Sequence, residues 1–255
     1  MKSISLYVQG NSPIHKMYPT SKIAYILAAI AVPAIIPVNA VALTCLSISV
    51  LGLLWGKVFR KVLPLISFSM VVLLSVIIIQ GLFKLDNKTP LFHIGPLVFY
   101  KEGLAYALGI CIRVTNILCA FAVLILTTKP SDLVEALVKK GLSSKIGYVL
   151  SSVLQIIPQM TATMGTITDA QRSRGMETEG RLRVRIKAFF PLIGPVVMNS
   201  LVSTRERAMA LEVRGFDSKT KKTFLSDAEE SAQDKLIQGF LILSVVLAIV
   251  WRVVA

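Results

Sequence analysis

Of the 255 residues, 54% are apolar and only 16% are charged, and the mean hydropathy is +0.70. Soluble domains carry about 25% charged residues, so this chain lacks the polar surface to cover a soluble globule, and its apolar content excludes disorder. An integral membrane protein remains, and 28 Lys plus Arg against 14 Asp plus Glu fit basic loops gathered on one side of a bilayer. Nucleic acid fits less well, because no aromatic-basic binding stretch is present.

The N-terminal stretch Met1–Lys22 is polar, carries Pro13, His15 and Pro19, and has no apolar core of a cleaved signal peptide. As one helix the apolar run Ile23–Trp55 would rise roughly 50 Å, against a hydrocarbon core of about 30 Å. Pro37-Val38-Asn39 is the turn that divides it, predicting a short helical hairpin of Ile23–Ile36 and Val38–Trp55, with Pro33 a kink in the first half. Further crossings are predicted at Val62–Phe83, Gly103–Thr127 and Leu236–Val254. This makes an all-α membrane protein of about five transmembrane helices, divided as 1–127, a cytoplasmic 128–235 and 236–255.

Loop charge sets the orientation. Lys2, Lys16 and Lys22 precede the first span, Lys57, Arg60 and Lys61 follow the second, and the Pro37–Asn39 turn is uncharged. The 84–102 loop is mixed, with Lys84, Lys88 and Lys101 against Asp86 and Glu102. Segment 128–235 holds 17 of the 28 basic residues. An N-terminus and a 128–235 region in the cytoplasm, with the C-terminus outside, satisfy the positive-inside rule.

Segment 128–235 reads as helical. A short helix, Asp132–Lys140, is expected after a Ser131 cap and before Gly141, with Leu133, Val134, Leu137 and Val138 as its apolar stripe and Glu135 positioned to pair with Lys139. A second stretch spans Ser143–Arg174 through Pro158, and a third Val184–Arg214 through Pro191 and Pro195. Both mix polar residues with Val149, Leu154, Ile157, Phe190 and Ile193, which suits helices lying along the membrane face or ordinary amphipathic helices. The two long stretches end alike: Ser173-Arg174-Gly175 and Val213-Arg214-Gly215. Gly after a helix end and a cation in the last turn are ordinary capping chemistry. Twice over, on consecutive helices, they make two equivalent arms, each presenting one guanidinium to a partner's carboxylate or carbonyl groups.

At these residues the chain resembles the transmembrane T component of energy-coupling factor transporters, a family marked by two Ala-Arg-Gly-type motifs at the ends of its coupling helices. The Arg and Gly of both motifs are kept, while Ser173 and Val213 replace the Ala. Leu126-Thr127-Thr128-Lys129-Pro130-Ser131-Asp132-Leu133 is similar to the family's junction into its first coupling helix, and His15–Lys22 to its N-terminal lead-in, with Tyr18 and Ser21 departing from the commoner residues. The resemblance implies a non-catalytic subunit of the plasma membrane that binds no cofactor. ATP and Mg²⁺ are then used by two cytoplasmic ABC ATPase subunits, which receive Arg174 and Arg214. A membrane-embedded S component captures the cargo, a vitamin, vitamin precursor or transition-metal ion.

Other features carry less. Arg113 sits inside the fourth span, where a charge costs at least about 2.5 kcal/mol, and is a candidate structural or coupling residue. Arg181, Arg183, Arg185 and Lys187 form a basic cluster suited to anionic lipid or an acidic ATPase surface. Gly52 and Gly56 make a GxxxG pair. Cys45, Cys111 and Cys119 read as buried thiols, and His15 and His93 fall on opposite sides of the membrane, so no metal site is expected. There is no phosphate-binding GxxxxGK[ST] loop, which excludes the chain from being the ATPase. A stand-alone secondary carrier or channel is the alternative, opposed by the shortage of acids within the spans. A lipid-modifying enzyme has only the basic face in its favour and no paired carboxylates or His constellation.

Overall fold

The computed structural model describes residues 6–83, 89–94, 97–176, 182–218 and 230–254. The chain divides into two compact units, a membrane unit of Ser5–Leu137 with Ala228–Ala255, and a helical unit built on Val138–Asp227.

The membrane unit contains α1 (Pro13–Lys16), α2 (Pro19–Ile35), α3 (Asn39–Trp55), α4 (Phe59–Phe83), strands β1 (Pro90–Ile94) and β2 (Leu97–Tyr100), α5 (Lys101–Thr127), α6 (Pro130–Lys139) and α9 (Ala232–Val254). Among the described residues three helices, α4, α5 and α9, are long and apolar enough to cross a membrane. The expected hairpin halves are α2 and α3, apolar helices of 17 residues each that rise about 25 Å. The protein is an all-α, multi-pass membrane protein.

Helix α5 is the centre of this unit because one face is made of small residues. Gly103, Ala107, Gly109, Asn116, Cys119, Ala120, Ala122 and Val123 are all buried, and α2, α3 and α4 pack against α5. Small side chains allow close backbone approach where no hydrophobic force drives association. The GxxxG pair divides its roles accordingly: a Cβ on Gly52 would lie 3.6 Å from Val123 Cγ2 of α5, whereas Gly56 caps the end of α3. The outer helices show the reverse pattern. Phe68 and Val71 on α4 and Phe240 and Trp251 on α9 are strongly exposed, as side chains solvated by lipid should be.

Proline in an apolar helix needs a second partner. Pro33 has no N–H, so the Ala29 carbonyl one turn earlier loses its helical donor. Asn116 Nδ2 of α5 donates to Ala29 O at 2.8 Å. Its Oδ1 accepts from Ser49 Oγ of α3 at 2.7 Å, and Tyr25 Oη of α2 is 2.6 Å from the same hydroxyl. Asn116 and Ser49 are wholly buried, so this polar triad joins three helices inside the apolar unit.

Two details differ from the sequence expectation. The 84–102 segment carries an antiparallel hairpin, Ile94 opposite Leu97 and Pro90 opposite Tyr100; its run of aromatic and apolar residues favours strands. Lys84, Asp86 and Lys88, read there as loop charges, lie outside the described residues. Helix α6 begins at Pro130 rather than after a Ser131 cap: Leu133 N–H reaches Lys129 O at 3.1 Å, and Ser131 Oγ donates to Asp132 Oδ1. A proline at the first helical position loses only an N–H that has no helical acceptor there anyway.

The second unit contains α7 (Ser144–Ser173) and α8 (Leu182–Val213). Both continue through their prolines. Thr161 Oγ1 bonds Pro158 O at 2.7 Å beside the first.

Candidate functional site: two arginine-ended helices

Helices α7 and α8 run antiparallel. Lys145 at the start of α7 is ion-paired with Asp217 just past α8, at 2.6 Å, and the Tyr148 and Phe216 rings meet at 5.2 Å. Further along, Arg207 Nη2 donates to Gln159 Oε1 at 2.7 Å. Where the helices meet, Thr163, Asn199, Ser200, Ser203 and Thr204 line a cavity of about 30 Å³, against several hundred for an organic-ligand pocket. The cavity lining is mixed, since Ile156 and Met160 join the polar residues, and Leu192 and Val196 of α8 are buried, while Val149, Val153, Phe190, Met198 and Leu201 are exposed.

The two motifs share one backbone geometry. At the first, Gly175 N–H bonds Arg172 O at 2.9 Å and Met176 N–H bonds Gln171 O at 3.1 Å. At the second, Gly215 N–H bonds Glu212 O at 2.9 Å and Phe216 N–H bonds Leu211 O at 3.0 Å. Each is a Schellman ending with the arginine as the last half-helical residue and the glycine in the left-handed region, at φ +86° for Gly175 and +69° for Gly215. A Cβ at either glycine meets nothing within 4 Å, so conformation rather than space selects glycine.

Both guanidiniums are exposed, and among the described residues neither has a hydrogen-bond or ion-pair partner. Because α8 ends beside the start of α7, Arg214 and Arg174 stand at opposite ends of α7, whose 30 residues rise about 45 Å. The flanking motif residues act locally: Ser173 Oγ donates to Asp169 O at 3.1 Å, and Val213 is exposed.

The remaining candidates are placed as follows. Arg113 lies in the middle of α5, and its Nε is buried without a hydrogen bond among the described residues. Of the basic cluster, Arg181 lies outside the described residues; Arg183, Arg185 and Lys187 are in the first turns of α8. His15 has a structural role, with Nδ1 2.7 Å from Ser12 Oγ and Nε2 3.0 Å from Val8 O. Sequence reasoning did not find the Gln159–Arg207 and Lys145–Asp217 ties between the two motif helices, because no local spacing encodes a contact between separate helices.

The geometry describes a multi-pass membrane protein that carries a pair of long helices with matched arginine ends. The pattern defining the cobalt transport protein family, CbiQ, matches residues 10–224, and the chain belongs to that family. It is 31% identical to an energy-coupling factor transporter transmembrane protein EcfT of Streptococcus equi subsp. equi, over 86% of each chain. It is 27% identical to the protein of the same description from Lactococcus lactis subsp. cremoris, over 98% of this chain and 97% of the relative. A putative ABC transporter ATP-binding protein of Bifidobacterium longum is 26% identical over 92% of this chain but only 31% of its own length.

Proposed function

We propose that this chain is the non-catalytic transmembrane T component of an energy-coupling factor importer. It joins two cytoplasmic ABC ATPase subunits, which bind ATP and Mg²⁺, to a membrane-embedded S component that captures a vitamin, vitamin precursor or transition-metal ion. The chain lies in the plasma membrane with its N-terminus and 128–235 in the cytoplasm.

The observation that carries this reading is the pair of exposed arginines, without a partner among the described residues, set by matching Schellman endings at opposite ends of α7. A guanidinium on a rigid helix end is suited to bidentate contact with carboxylate or carbonyl groups of a partner. Two such ends, far apart, suit a partner with two equivalent grooves, as an ATPase dimer has. The long Bifidobacterium relative supports the same reading, since a protein named for ATP binding carries a region like this chain within it. Nucleotide-driven closure of the ATPase pair moves the two arginine-bearing ends. The Lys145–Asp217 and Gln159–Arg207 ties make α7 and α8 respond as one lever.

Charge reversal tests it. Truncating one partner of a desolvated charge pair costs about 2–5 kcal/mol, so Arg174→Glu or Arg214→Glu weakens ATPase retention by at least about tenfold and the double variant abolishes it. Full retention and uptake by the double variant would sink the assignment.

A further inference from the structure

The last carbonyls of a helix have no helical donor and need partners from elsewhere. The last two residues of α5, Leu126 and Thr127, and the two that link it to α6, Thr128 and Lys129, are all held by the N-terminal segment. Val8 N–H bonds Leu126 O at 2.9 Å. Lys22 Nζ donates to Thr127 O and to Thr128 Oγ1, each at 3.0 Å. Lys129 Nζ lies 5.8 Å above the Tyr7 ring. Pro130 then opens α6.

The N-terminal segment is itself braced by α9. Asp234 Oδ1 accepts from Tyr18 N–H at 3.1 Å and from Ser21 Oγ at 3.3 Å. Thr20 Oγ1 donates to Glu230 Oε1 at 2.8 Å, and Gln238 Nε2 reaches both Thr20 Oγ1 and Ser21 Oγ. Lys22 is only 2% exposed. It stands just ahead of the apolar run of α2, and burial pulls its ammonium down to about 8 against the opposing pull of Asp132 and Asp234. An aliphatic residue would fill the same space without that desolvation cost, but it could not hold Thr127 and Thr128.

We infer that Lys22 is a positioning residue: it locks the α5–α6 link to the α9-braced N-terminal segment, so that displacement of α6 reaches the membrane helices instead of being absorbed in a loose turn. This rests on the proposed role of the chain as the coupling subunit. Displacement passes through a joint only if the joint does not yield first, and a two-residue link without side-chain ties would be the softest point in the path.

Two measurements test the inference, on Lys22→Met, Lys22→Arg and Thr128→Val. The first is hydrogen–deuterium exchange across residues 126–133 in the detergent-solubilised full chain. The second is uptake per ATP hydrolysed by the reconstituted complex, using labelled biotin, riboflavin, thiamine, folate and cobalt(II) as probes. Lys22→Met is expected to speed exchange at least tenfold and to lower uptake per ATP at least tenfold while the ATPases stay bound. Lys22→Arg keeps both within about threefold of wild type, and Thr128→Val shifts both about threefold. Unchanged exchange, or a normal ratio in the assembled Lys22→Met complex, overturns the inference. So does a smaller yield of complex whose ratio is normal, the mark of a purely structural lysine. If Lys22→Met does not fold, Thr128→Val decides on the same readouts, and no change in either refutes the joint. A wild-type complex that accumulates none of the probes counts against the coupling-subunit reading instead; exchange then judges the joint alone, and an unchanged rate rejects it.

Discussion

Replacing Asn116 by Leu removes two hydrogen bonds inside the apolar unit at nearly constant volume. The Ala29 carbonyl, already deprived of a helical donor by Pro33, loses the 2.8 Å bond from Nδ2, and Ser49 loses its 2.7 Å acceptor. Ser49 keeps a bond to Cys45 O at 3.0 Å, so the carbonyl bears most of the loss. Side-chain hydrogen bonds between membrane helices average about 0.6 kcal/mol and reach about 1.7, and an orphaned buried acceptor costs about 1–3 kcal/mol. Two bonds therefore give an expected loss of about 2 kcal/mol. The informative comparison is the same change in a Pro33→Ala background. Alanine restores the N–H at position 33, α2 satisfies Ala29 O itself, and the cost of Asn116→Leu should fall to about 1 kcal/mol. Packing changes at position 33 are common to both arms and cancel in the cycle. Reversible unfolding in detergent, followed by far-UV circular dichroism over an SDS titration, measures all four variants. Equal losses in both backgrounds, within about 0.5 kcal/mol, would refute the idea that Asn116 repairs the proline break.

Gly175→Ala and Gly215→Ala should each cost about 1–2 kcal/mol, because a side chain at positive φ is strained even where space is open. Each also disturbs the neighbouring arginine, so ATPase retention should fall although no charge is lost; retention equal to wild type in a pull-down contradicts this. Lys22 gives a pH signature. Its folded pKa of about 8 lies below the unfolded value of 10.5, so between those values the unfolded chain binds more protons, and stability from this group rises as pH increases. Lys22→Met should flatten the unfolding midpoint across pH 8–10.5, and a rise of the same size in the variant would assign the effect to other groups.

Much of the fold was legible in the sequence because hydropathy and punctuation report on single helices. The Pro37–Asn39 turn does separate α2 from α3, and α4, α5, α7, α8 and α9 begin and end within a few residues of the stretches their apolar runs and glycines mark. The β-hairpin after α4 was not foreseen, since it is short and lies between two stronger helical signals. At the candidate site, Arg174-Gly175 and Arg214-Gly215 were readable because helix capping is a local event governed by φ at one residue.

What the sequence by itself determined is therefore the membrane setting, the helical order and the two arginine ends, all properties of contiguous segments. The tertiary structure decided what those segments do to each other. Lys22 looked like one more positive charge ahead of an apolar run until it was placed against Thr127 and Thr128, and the sequence singles out nothing at Asn116, whose role comes from its place against Ala29. The antiparallel course that puts Arg174 and Arg214 at opposite ends of α7 rests on Lys145–Asp217 and Gln159–Arg207. Such pairings depend on which helix faces come together, and no local period of the chain encodes that choice.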